Sequence, residues 1–150
     1  MGLEQEIRQT NFKSENQKAA LNILYTGNWL YSLNASYLKA YEITPEQYNV
    51  LRILRGSHPK PMMLADITCR MLDKNSNATR LVEKLRLKGM VKREICKSNR
   101  RQVDISITDK GLSLLMKIDR MSDNWQSALK NLTKTEAQQM NYLLDKLRGS

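Results

Sequence analysis

Between residues 80 and 101 stand nine basic side chains, Arg80, Lys84, Arg86, Lys88, Lys92, Arg93, Lys97, Arg100 and Arg101, against only Glu83 and Glu94. This window therefore carries a net +7 of the formal +10 of the whole 150-residue chain. On a merely solvated face the two signs would be interspersed and paired at helical spacing. Clustering of one sign instead suits a polyanion, with nucleic acid the first candidate. Just ahead of the window lie Ser76, Asn77 and Thr79, which with Arg80 form a group of short polar side chains beside one long donor. Such groups hydrogen-bond base edges in a major groove, where Arg and Asn can each bond a base through two atoms. Lys74, Lys84 and Lys92 suit phosphates, which position a protein without specifying sequence. A third group, Lys97, Asn99, Arg100 and Arg101, crowds a polar stretch between two apolar alternations.

Local patterns say which elements would hold these residues. "MMLADITCRML" is a short apolar helix, "DKNS" a polar turn, and "NATRLVEKLRLKG" a second helix with Leu81, Val82, Leu85 and Leu87 apolar and Gly89 as its terminator. Two short helices about a tight polar turn make a helix-turn-helix candidate. Residues 90–95 and 103–107 follow as strands, with the arginine-bearing stretch at the hairpin tip. A helix-turn-helix followed at once by a hairpin is a winged helix.

Flanking helices extend this unit. Residues 13–40 form one long amphipathic helix with Tyr25, Trp29 and Tyr37 among its apolar positions. Thr44, Pro45 and Gln47 open another with a capping box, running out near Gly56 before the break "GSHPKP". From Thr108 a helix continues through Leu112, Leu115, Met116, Met121, Trp125, Leu129 and Leu132, and Thr133 with Glu136 caps a last one. The expected fold is mainly α with a small β-hairpin (α+β), a winged helix-turn-helix flanked by long terminal dimerisation helices. Residues 41–111 form the nucleic-acid-binding lobe of a single domain, and residues 1–40 and 112–150 the dimerisation helices. Apolar faces of that length exceed what so small a centre can cover, so a homodimer is expected.

Composition narrows the function classes. A chain that is 41% hydrophobic and 27% charged is ordinary for a folded domain, and one domain is the economical count. No apolar run spans a bilayer and the N-terminus has no hydrophobic signal core, so a cytoplasmic protein is expected, with no membrane partner. Cys69 and Cys96 belong to no CxxC or Cys/His cluster and are expected to be ordinary packing residues rather than a redox pair. His58, the one histidine, sits in a Gly/Pro-rich loop. With no carboxylate pair, metal-ligand cluster or phosphate-binding glycine loop beside it, no enzyme, no cofactor and no metal are expected.

"ITPEQYNVLRIL", "NSNATRLVEKLRLKGMVKR" and "SNRRQVDISITDKG", in that order and spacing, closely resemble the MarR family of bacterial transcriptional regulators, and the likeness runs from about Lys18 to Leu147. The family's wing motif has the form D-x-R, then a strand, then L-T-x-x-G; here those positions are Asn99, Arg100, Arg101, Ile107, Thr108 and Gly111. The resemblance implies an obligate homodimer on a palindromic double-stranded DNA operator, usually as a repressor. Its second helix-turn-helix element would read the major groove, and Arg101 would reach the adjacent minor groove. Asn99 stands where the family has an aspartate, so a neutral hydrogen bond would replace a charge-assisted one. Many members release DNA when a small lipophilic or phenolic molecule binds between the dimer helices and the winged domain, which makes Tyr25, Trp29 and Tyr37 the expected wall of an effector pocket. Members that sense peroxide use a cysteine near the N-terminus, which this chain lacks. The alternative is a winged-helix nucleic-acid or protein interaction module without an effector.

Overall fold

Two threonines start helices in the way their spacing to a following Gln or Glu predicts. Thr44 Oγ1 accepts from the Gln47 backbone N–H at 3.2 Å while Gln47 Oε1 accepts from the Thr44 N–H at 3.1 Å. Thr133 and Glu136 repeat the exchange at 3.2 and 2.8 Å. Each box satisfies donors that a helix start leaves without partners.

The computed structural model describes residues 1–121 and 127–150. They fall into two compact units, Met1–Leu112 and Ser113–Ser150. In the first, a single-turn helix α1 (Leu3–Glu6) precedes the long α2 (Glu15–Leu38), whose N-cap Ser14 accepts from Gln17 N–H. A 3-10 turn (Lys39–Tyr41) leads to α3 (Pro45–Ser57), α4 (Leu64–Arg70) and α5 (Ala78–Leu87). Strands β1 (Val91–Ile95) and β2 (Val103–Ile107) pair antiparallel, Val91 opposite Ile107 and Ile95 opposite Val103. Helix α6 (Asp109–Met121) begins in this unit and continues into the second, which also holds a 3-10 turn (Ser127–Asn131) and α7 (Lys134–Leu147).

The core of the first unit is built around α3, which touches α2, α4, α5 and β2. Val50, Leu51 and Leu54 from α3, Ile67 from α4, Val82 and Leu85 from α5, and Ile105 from β2 are all at most 2% exposed. Burial of this kind contributes most of the stabilisation a small domain has. Met62 adds a bridge the sequence did not signal: its N–H and carbonyl exchange hydrogen bonds with Ile105 at 2.8 and 2.9 Å. β2 is thus flanked on both sides, and β1 keeps a free outer edge among the described residues.

The helix from Thr108 does not run to Leu132 as its apolar spacing suggested. α6 ends at Met121, Trp125 lies outside the described residues, and Leu129 belongs to a 3-10 turn. Both long flanking helices leave apolar residues uncovered. On α2, Ile23, Leu24, Tyr25, Trp29 and Tyr31 are 37–64% exposed, and on α7 so are Met140, Tyr142, Leu143 and Leu147, at 46–67%.

Where α5, the hairpin and α6 meet, the backbone packs too closely for a side chain. A Cβ on Gly111 would lie 2.5 Å from the Met90 carbonyl oxygen and 2.7 Å from Ile107 Cγ1. Gly111→Ala is therefore expected to destabilise the protein by about 1–3 kcal/mol, the usual cost of forcing extra volume into a packed site, seen as a lower urea midpoint.

Candidate nucleic-acid interface

Asn77 is the N-cap of α5: its Oδ1 accepts from the Arg80 N–H at 3.1 Å. The cap satisfies an otherwise unpaired donor and fixes where the helix starts. That acceptor is thereby engaged in the cap, and the amide Nδ2 is left for any outside contact. The turn ahead of it is fastened by Asp73, which accepts from Asn75 N–H at 2.9 Å, and by Asn49 of α3, which accepts from Leu72 N–H at 2.9 Å. Thr79 and Arg80 are exposed on the first turn of α5. Ser76 is placed differently from its expected part in reading bases: its hydroxyl is buried and finds no partner among the described residues, so it is not presented outward.

The basic window separates into paired and unpaired cations. Arg86 donates to Glu83 through Nε at 3.0 Å and Nη2 at 2.7 Å, and Arg93 Nη1 stands 3.5 Å from the same carboxylate. These guanidiniums hold the Glu83 carboxyl below the ordinary carboxylate range, the Arg86 hydrogen bond first. Lys92 pairs with Glu94 at 3.4 Å, and Lys88 donates to the Glu42 carbonyl. Lys74, expected at phosphate, instead donates to the Cys69 carbonyl, because the turn folds it back over the end of α4. Among the described residues, the side chains of Arg80, Lys84, Lys97, Arg100 and Arg101 have no ion-pair partner. Unpaired cations are the ones that can displace counterions from a polyanion.

At the hairpin tip Asn99 does not reach the Arg101 guanidinium. Its Oδ1 accepts from the Arg101 backbone N–H at 3.1 Å, while Gln102 N–H donates to the Asn99 carbonyl at 3.0 Å. This two-residue turn fixes the backbone of Arg101 and leaves its head free. A cleft of about 290 Å³ joins the two elements: Thr79 and Val82 of α5, Arg93 of β1 and Arg101 of the tip line it, above Met63 and Leu64. The structure thus brings the start of α5 and the wing arginine to one place.

Other expectations need correcting. Cys69 is exposed and Cys96 half-buried, so neither fills the core; Cys69 sits on a short helix whose buried position is Ile67. The pKa of the Cys96 thiol is lowered by hydrogen bonds from the Ser98 hydroxyl, 3.1 Å from its sulfur, and from the backbone of Ser98 and Asn99. The pocket expected behind Tyr25, Trp29 and Tyr37 lies between dimer helices and winged domain; within one chain these three do not line the larger groove. Tyr25 donates to Glu6 at 2.9 Å, Trp29 points to the exposed side of α2, and Tyr37 rests 6.2 Å from the Tyr41 ring. The groove, of about 910 Å³, is lined instead by Tyr31 and Ala35 of α2, Ile43 and Pro45, Lys84 and Leu87 of α5, and Lys88 at the end of that helix. Tyr31 has helical spacing like its neighbours, so periodicity alone could not single it out. Among the described residues no cluster of His, Cys, Asp and Glu could hold a metal, and no helix is long and apolar enough to cross a membrane.

A helix-turn-helix whose second helix is fixed against a basic antiparallel hairpin defines the winged-helix class. Residues 43–103 match the family model described as the MarR family. The chain spans 93% of its own length and 100% of a MarR transcription factor from Planctomyces limnophilus, at 27% identity and a TM-score of 0.69. Two structures with DNA share the fold. A mutant MarR from E. coli complexed with operator DNA is 23% identical, with 92% of this chain and 99% of that one covered and a TM-score of 0.78. The MepR–DNA complex of S. aureus is 20% identical, with 87% and 96% covered and a TM-score of 0.77. No curated protein matches. Over residues 43–103 the chain is thus similar to the MarR family, and along most of its length it shares the fold of that family's solved members.

The thiol geometry makes a direct forecast. Ser98→Ala is expected to move the pH midpoint of Cys96 alkylation upward, because the thiolate loses a donor, as followed by peptide mass spectrometry of iodoacetamide labelling.

Proposed function

We propose that this protein is a sequence-specific DNA-binding transcriptional regulator that acts as a homodimer and represses by occupying a palindromic operator. The observation that carries this reading is the cleft shared by Thr79 on the first turn of α5 and Arg101 at the wing, with Arg80 and Arg101 both unpaired. In the bound state α5 lies in a major groove with Thr79, Arg80 and the Asn77 amide toward base edges. Arg101 enters the neighbouring minor groove with Arg100 beside it, and Lys84 and Lys97 contact phosphates, joined by Lys92 when it leaves Glu94. The relatives solved with DNA support this assignment.

The uncovered apolar residues of α2 and α7 support the dimer, since exposed apolar patches of that extent mark association surfaces. The 910 Å³ groove is the proposed effector site, for a lipophilic molecule bearing an acidic or phenolic group that Lys84 or Lys88 can meet. Lys84 both lines the groove and is assigned to a phosphate, so a ligand that draws it inward would weaken DNA binding. Catalysis, cofactors and metal have no part in this function.

Selection of bound duplexes from a random pool by the purified protein tests the reading. Enrichment of a palindrome with half-sites about one helical turn apart is expected, and no enrichment over a salt-sensitive background would favour an interaction module instead. Arg101→Ala should flatten preference at the A/T positions flanking each half-site by about 1–3 kcal/mol, whereas Lys97→Ala should weaken all sequences alike and reduce the salt slope by about one. Placing a charge on α7, as in Leu143→Asp, is expected to yield monomers by light scattering and to abolish operator binding.

A further inference from the structure

We propose that Glu83 is a positioning residue that sets DNA specificity, by holding Arg86 of α5 and Arg93 of β1 as one partly neutralised unit. The inference rests on the regulator reading and names a determinant within it. Glu83 stands four residues after Thr79 and three before Arg86, on one side of α5. Both of its oxygens bond the Arg86 guanidinium, at 2.7 and 3.0 Å, and Arg93 reaches it from the first wing strand at 3.5 Å. Isolated surface ion pairs contribute little, but a two-point guanidinium–carboxylate fork fixes orientation as well as charge.

The consequences act on discrimination rather than on raw affinity. One fixed anion neutralises part of the charge of two arginines, so fewer cations are free for phosphates of any sequence. A carboxylate held within a basic face also repels phosphates in any register that places them against it, which penalises wrong sites more than right ones. Arg93 lines the cleft with Thr79 and Arg101, so the same tie sets the spacing between α5 and the wing tip.

The test compares wild type, Glu83→Gln, Arg93→Gln and the double variant, each full length, on the palindrome selected by the wild type and on a shuffled duplex. Fluorescence anisotropy is read across a salt series. Glu83→Gln is expected to bind the shuffled duplex more tightly, with a salt slope steeper by about 0.9 for each phosphate gained. Its preference for the palindrome should fall roughly five- to tenfold, the lower range of one positioned contact. Arg93→Gln should lower the preference too, and the double variant no further than either alone. An unchanged preference and slope would overturn the proposal, as would equal weakening on both duplexes with a lowered Tm, which marks a merely structural role. Loss of discrimination at one base pair with an unchanged slope would make Glu83 a direct base contact and also overturn it. Should the wild type enrich no sequence, the regulator reading itself fails, an outcome seen before any variant is compared.

Discussion

The close approach of Gly111 to the Met90 carbonyl is the constraint on which the arrangement of α5, the wing and α6 depends. Gly89, at φ +74°, turns the chain out of α5 in a conformation that favours glycine, and Met90 N–H then donates back to Leu85. Thr108 closes the other side: its hydroxyl donates to the Gly89 carbonyl at 2.6 Å and its N–H to Met90 at 3.0 Å. Gly111 N–H donates to the same hydroxyl at 3.3 Å, so the end of one helix, two strands and the start of another share a few bonds. Any side chain at Gly111 would push that junction apart, and with it the distance from the α5 start to the wing tip.

Rigidity at the junction gives the charges their meaning. Flexible cations attract any polyanion, whereas cations on a fixed frame favour the geometry that matches them. Here the frame orders Arg80 by the Asn77 cap, Arg86 by Glu83, and the backbone of Arg101 by Asn99. Asn99 does this without charge, which accounts for how an amide can serve where the resemblance led one to expect an aspartate: the turn needs an acceptor for a backbone N–H, and an amide oxygen is one.

What was legible in the sequence were signals that act locally. Threonine followed three residues later by Gln or Glu marked two helix starts, and the alternation of Val103, Ile105 and Ile107 gave β2 its limits. The hidden features depend on residues far apart in the chain. The Met62–Ile105 bridge lies across 43 positions that no pattern connects. Tyr31 rather than Trp29 faces the groove because the groove is completed by residues of α3 and α5, which the periodicity of α2 does not encode. The burial of the Ser76 hydroxyl and the turn of Lys74 toward Cys69 likewise follow from how the α4–α5 connection folds on itself. Charge clustering was visible at once, but which of those charges are already paired was not.

The edge of β1 that has no partner strand among the described residues carries Lys92, Arg93 and Glu94 in exposed positions. A free strand edge is a template on which another chain can add a strand, and charged side chains along it are a common guard. The residues that make the hairpin attractive to a polyanion therefore also keep it from stacking against its own kind. Replacing them wholesale with neutral residues would trade affinity for a polyanion for a tendency to aggregate, so the pressure to stay dispersed in solution and the pull toward a polyanion act on the same few side chains.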